Sequence, residues 1–140
     1  MRQQIKDLEL FQITFNSTYN TKPALLPEQD WKLRYKLLEE ELGEYKEACE
    51  QGDIVEISDA LTDCLFIVLG SFVSHGLQDI AEELFAEVTR SNMSKTEEDG
   101  TVLINGVNAF DDKKPYGKIL KSKRYSEPDL KSIIEKHYGI

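Results

Sequence analysis

Two groups of carboxylates are spaced to do chemistry together. The first is Glu40, Glu41 and Glu44 in LLEEELGEY. On a helix these three share an arc of about 100°, with Glu40 and Glu44 stacked one turn apart, where like charges repel. The second is Glu56, Asp59 and Asp63 in EISDALTDCLFIVLG, whose steps of three and four place them on one stripe about 60° wide. The rest of that helix is Ile, Val, Ala, Leu, Cys and Phe, and Asp53 to Gly76 contains no Lys or Arg. A helical glutamate is ordinarily a solvated charge, a reading that suits Glu47, Glu82 and Glu83. A carboxylate stripe on an apolar helix is different, because an unpaired ion buried there is costly or takes up a proton. A bound divalent cation removes the conflict. Oxygen-only ligands fit Mg2+, with Mn2+ as the alternative. The helices have no Glu-x-x-His pair of the di-iron kind. Two cysteines and two distant histidines, His75 and His137, form no zinc cluster. A Mg2+ site suits phosphate chemistry: the ion meets phosphate oxygens and offsets charge on a leaving pyrophosphate, and a spare carboxylate acts as base towards water.

Cationic and aromatic residues extend the set. Arg90, Asn92 and Lys95 lie in RSNMSK, and Lys113, Lys114, Lys118, Lys121, Lys123 and Arg124 follow in a Gly-containing polar stretch. They are either a solvated surface or contacts for a phosphate chain. Trp31 and Tyr35, one turn apart ahead of the first acidic group, suit core packing or stacking on a base.

The elements that must carry these residues are helices. Leu8, Phe11 and Phe15 give Lys6 to Phe15 a helical spacing, and Asn16 to Pro27 reads as a loop. Glu28 to Gln51 is a long helix with the apolar stripe Leu38, Leu42, Tyr45 and Cys49. Gly52 ends it, and Asp53 caps the next helix, which runs to about Ser74 and is apolar nearly all round. The short connection makes these two helices antiparallel neighbours, so the acidic groups face one another. Leu77 to about Arg90 is a further helix, residues 91–127 are mostly irregular with at most a small hairpin, and Pro128-Asp129 opens a C-terminal helix. The expectation is an all-α bundle of four to five helices, one domain over 1–140, completed as a homodimer or homotetramer.

Size and charge agree with that expectation. At 140 residues there is room for one core. A net charge of −9 argues against nucleic acid as a partner. The longest apolar run, Cys64 to Phe72, is about half a bilayer span, and the N-terminus lacks the apolar stretch of a secretion signal. No membrane partner is expected, and the cytoplasm is the expected location. Cys49 and Cys64 read as small buried residues.

At its acidic motifs the chain resembles the all-α nucleotide pyrophosphohydrolases, which include MazG-like enzymes, dimeric dUTPases and phosphoribosyl-ATP pyrophosphohydrolases. Their EExxE motif appears as Glu40-Glu41-Leu42-Gly43-Glu44, and their ExxD as Glu56-Ile57-Ser58-Asp59. Arg34 and Leu37-Leu38 ahead of the first motif, EVTRSNMSK at Glu87 to Lys95, and KILKSKRYSEPDL also resemble the family. The resemblance implies a Mg2+-dependent enzyme that cuts a nucleotide between its α and β phosphates. It places Glu40 and Glu41 as catalytic, and Glu40, Glu41, Glu44, Glu56 and Asp59 as metal-binding, with Asp63 added. It places Asn92 and Lys95 on the substrate, to which the residue reading adds Arg90, Lys118 and Trp31. The leading expectation is a (d)NTP pyrophosphatase that cleans the nucleotide pool. A phosphoribosyl-ATP pyrophosphohydrolase is the alternative, and a silent nucleotide- or metal-binding bundle or a structural dimer stands outside the enzymes.

Overall fold

The computed structural model describes residues 1–140. It contains five α-helices: α1 (Arg2–Thr14), α2 (Glu28–Gln51), α3 (Ile54–Ser74), α4 (Ala81–Met93) and α5 (Leu130–Tyr138), with a 3-10 turn at Gln78–Ile80. There are no strands, only the isolated bridges Thr96–Val102, Ile104–Ile119 and Asn105–Ala109. The chain packs as two compact units, Met1–Ala81 and Glu82–Ile140. The all-α expectation holds, and the stretch expected to be irregular lies in the second unit.

In the first unit α3 packs against both α1 and α2. The α2–α3 turn forms as its residues dictate. Gly52 takes the left-handed conformation (φ 70°) that a glycine adopts without a Cβ penalty. Asp53 then accepts hydrogen bonds from the Val55 and Glu56 amides at 2.9 and 3.2 Å. A cap of this kind contributes about 1 kcal/mol. Ile5 and Leu8 of α1 join Leu69, Val73 and Ala81 in the core. Phe11 meets Phe66 edge-to-face at 5.0 Å, one of the favoured geometries of aromatic pairs.

The expected apolar stripe of α2 does not form its buried face. Leu42, Tyr45 and Cys49 are exposed, and the buried residue of this helix is Ala48. Small residues set the contact instead, since Ala48 and Ala60 are both buried where the two helices meet. Cys64 is half-buried, so the expectation of two buried cysteines fails for Cys49. On α3, Ile54, Val55, Leu61 and Leu65 also face outward. This helix is long and apolar enough to cross a membrane by length and mean hydropathy, a test that the core helix of a soluble protein also passes. The run Cys64 to Phe72 understates it, because apolar residues continue beyond both ends of that run.

The loop from Asn16 to Pro27 is sewn to the end of α3. The Asn20 side-chain amide donates to the Ser74 carbonyl at 2.7 Å, Gln78 donates to the Asn20 carbonyl at 2.8 Å, and the Ala24 amide donates to the His75 carbonyl at 2.9 Å. Gly76 (φ 71°) lies so close to the Lys22 backbone that a Cβ would fall 2.0 Å from its carbonyl oxygen. Gln12, almost fully buried, donates to Thr18 O and Ser74 Oγ. Arg34 crosses from α2 to α3 and donates to Ser71 Oγ (3.0 Å) and the Ile67 carbonyl (2.7 Å).

In the second unit, α4 and α5 are joined by Glu83, which takes Lys136 at 3.0 Å and His137 at 2.5 Å. The stretch between them is organised by side chains. Asn105 is buried; its amide nitrogen donates to the carbonyls of Asp111, Lys114 and Pro115, and its oxygen accepts from the Asp111 amide at 2.7 Å. One asparagine thus closes a loop that has no ladder of its own.

Candidate metal centre

Antiparallel packing of α2 on α3 brings the two acidic motifs to one seam, and divides them along it. Glu41, Glu44 and Asp63 each present an oxygen within 4.8 Å of the others. Nearer the turn, Glu44, Glu47, Glu56 and Asp59 line a cavity of about 430 Å³ with Ala48, Gln51 and Ala60. Glu44 belongs to both. Expected as one stripe, Glu56 and Asp59 therefore lie with Glu47 towards the turn, while Asp63 lies with Glu41. The division follows from the register of the two helices, in which Asp63 sits a full turn further from Gly52 than Asp59.

Glu41 is the constrained member. Its Oε2 is buried with no hydrogen-bond partner, a costly state for a carboxylate oxygen. Its carboxyl is held above the usual range, first by burial, then by Glu44, and then by Asp63 and Asp59. The Cys64 thiol beside them is pushed up by burial, Glu41 and Asp63. No ion pair reaches Glu41, Glu44 or Asp63. The nearest arginine along α2, Arg34, is committed to neutral acceptors on α3. An all-oxygen set with a desolvated, unpartnered member fits a hard divalent cation.

The remaining residues singled out in the sequence fall as follows. Glu40 is exposed on α2, outside both the cluster and the cavity. Trp31 is 45% exposed, with Lys32 Nζ 5.8 Å from its ring. In the second unit, Arg90 forks onto Glu87 at 2.7 and 2.8 Å and donates to the Glu127 carbonyl at 3.0 Å, so its guanidinium ties α4 to the chain ahead of α5. Asn92 is exposed in the last turn of α4, Lys95 is half-buried just beyond it, and Lys118 is exposed. Neither lysine has an ion pair.

Glu47, which the sequence suits to a solvated charge, and Gln51, which carries no motif, both line the cavity. Glu47 stands one turn beyond Glu44 on the same side of α2, and that spacing was the available signal. Arg34 carried no signal of its anchoring role, because its partners are a hydroxyl and a backbone carbonyl more than thirty residues away.

A search of curated proteins gave no match. The family model for phosphoribosyl-ATP pyrophosphohydrolase matches residues 8–92, a stretch that includes both acidic motifs and both acidic parts of the seam. The chain belongs to the phosphoribosyl-ATP pyrophosphohydrolase family, within the MazG-like all-α superfamily of pyrophosphohydrolases, and is a hydrolase of phosphoric anhydride bonds.

Proposed function

We propose that the protein hydrolyses phosphoribosyl-ATP between its α and β phosphates, releasing pyrophosphate, with Mg2+ held by Glu41, Glu44 and Asp63 and by the adjoining Glu56 and Asp59. The observation that carries the reading is the Glu41 carboxylate, desolvated among other acids and without a cationic partner, inside the segment that matches the family. Mg2+, when bound, supplies charge neutralisation on the phosphates and lowers the cost of the departing pyrophosphate.

The chain's own residues do the rest. Glu41, Glu44 and Asp63 would hold that cation and so set where along the seam the phosphates can lie. Glu40, one turn from Glu44 and exposed, is left to take the proton of the attacking water. Within the second unit, Lys95 and Lys118 have no ion pair, which suits them to a phosphate chain, and Asn92 offers a further donor. Arg90 serves the fold through Glu87 rather than the substrate. Trp31 keeps an exposed ring at the start of α2.

A second reading, cleavage of a (d)NTP in pool cleaning, draws on the part of the chain beyond residue 92. That part lies outside the family match and carries a basic stretch, Lys113 to Arg124, without an acidic residue. The outward apolar residues of α1 to α3, among them Leu10, Ile13, Leu61 and Leu65, favour pairing with a second copy of the chain. Nothing in the charge distribution favours nucleic acid, and we place the protein in the cytoplasm.

The test is pyrophosphate and monophosphate release from phosphoribosyl-ATP and a panel of NTPs and dNTPs with Mg2+. Release from phosphoribosyl-ATP in preference to the others supports the first reading. Preference for a (d)NTP supports the second. No release from any substrate with Mg2+ or Mn2+ overturns both.

A further inference from the structure

A second cavity lies on the same α2–α3 seam, at the end away from Gly52. It measures about 210 Å³ and is bounded by Leu38, Val68, Ser71, Phe72, His75 and Leu77. Leu38 precedes Glu41 by three residues, roughly 4.5 Å along the helix, and His75 follows Asp63 by twelve, roughly 18 Å. A phosphate chain, sugar and base laid end to end cover that span. The walls are apolar apart from two groups. Ser71 Oγ is already engaged, accepting from Arg34 at 3.0 Å and donating to the Ile67 carbonyl at 2.8 Å. His75 is half engaged: its Nδ1 lies 2.9 Å from the Ala24 carbonyl. A carbonyl only accepts, so Nδ1 carries the proton, and in the neutral ring Nε2 is an acceptor. No hydrogen bond to Nε2 is formed within the chain. An apolar slot with one fixed acceptor is the form of a site for a flat ring with an N–H edge.

We propose that this cavity receives the nucleobase of the substrate, with His75 Nε2 accepting from an exocyclic amino group of adenine type. The inference rests on the proposed nucleotide cleavage and adds the base to it. His75 is a specificity-determining residue and takes no part in bond breaking.

Two substitutions separate this role from the bond to Ala24. In His75→Asn the amide nitrogen occupies the place of Nδ1 and nothing replaces Nε2. In His75→Gln the polar end occupies the place of Nε2 and the bond to the loop is lost. The first readout is the ratio of the affinity for the α,β-methylene analogue of ATP to that for the same analogue of ITP, which carries an oxo group in place of the amino group, each measured with Mg2+ as a competitor of the cleaved substrate. We expect the ratio to fall about tenfold in His75→Asn and to recover in part in His75→Gln. The second readout does not need turnover. In His137→Gln protein, which leaves His75 as the one histidine, the 15N signal of Nε2 is followed during titration with Mg2+ and the α,β-methylene analogue of ATP. We expect Nε2 to move and Nδ1 to stay. If wild-type protein releases pyrophosphate but the ratio is unchanged in His75→Asn and Nε2 does not respond, the base lies elsewhere and the hydrolysis reading stands alone. If the substitution alters only self-association, a second copy covers the cavity and the inference is overturned. If wild-type protein neither binds nor cleaves any nucleotide, the hydrolysis reading fails and this inference falls with it.

Discussion

Glu41 and Glu87 are both partly buried glutamates on helices, and their surroundings push them in opposite directions. Glu87, in the second unit, takes two hydrogen bonds from Arg90 and one from the Asp129 amide, and its carboxyl is lowered to about 2. Glu41, in the first, meets other acids and no cation, and is raised by burial and by their charge. The two units differ in the same way as a whole. Residues 1–81 hold fifteen acidic and seven basic residues, whereas residues 82–140 hold eleven and ten. In the second unit charge serves the fold, since Glu83, Glu87 and Asp129 tie α5 and its approach to α4. In the first unit a conflict is tolerated, and unrelieved local conflict in an otherwise consistent structure is where function is sought.

The largest effect that would sharpen this contrast is on turnover. Glu41→Gln should lower kcat/KM by about 100-fold or more, by analogy with losses at metal-supporting residues, while leaving helical content unchanged; retained activity would break the contrast. Next is thermal stability. Mg2+ at about one hundred times its dissociation constant should stabilise wild-type protein by about 2.7 kcal/mol, and a melting curve in EDTA should remove the gain. The same Mg2+ series on Glu41→Gln should show a much smaller shift. Acid offers a third test, with opposite signs in the two units. Glu87 has a folded value below its ordinary 4.5, so its contribution is present above 4.5 and is lost as pH falls towards about 2. Amide exchange in α5 should therefore accelerate over that window. Glu41 has a folded value above 4.5, so in metal-free protein its penalty is relieved as pH falls through that raised value. Amides around α2 and α3 should then exchange more slowly on mild acidification, and equal responses in both units would contradict the comparison. The smallest effect is expected from His137→Ala. Lys136 still holds Glu83, exposed pairs contribute little, and the change should be a modest loosening of α5 alone.

Much of the first unit was legible in the sequence. The Gly52-Asp53 turn, the antiparallel hairpin and the two acidic motifs follow from local residue types, because capping and helical spacing are short-range effects. The split of the carboxylates was not legible, since it depends on which turn of α2 meets which turn of α3. The buried face of α2 was misjudged for a related reason: apolar spacing marked Leu42 and Tyr45, but the close approach at Ala48 and Ala60 decides the contact. The stitching of residues 16–27 was hidden because Gln12, Asn20 and Gln78 bond backbone or hydroxyl groups distant in sequence, which no periodicity records. In the second unit Arg90 looked like a phosphate ligand, and Glu87 three residues earlier already occupies it.

Asn105 carries a consequence in time. It precedes Gly106, and an asparagine followed by glycine is prone to losing its amide as the next backbone nitrogen attacks the side chain. Here the amide is held by three carbonyls, and the Gly106 nitrogen donates to Ala109, so neither partner is free to react while the loop is closed. The side chain that closes the loop is thus also its clock: conversion to aspartate, counted by mass spectrometry in aged protein, would record how often the second unit opens, and each conversion would make the next closure harder.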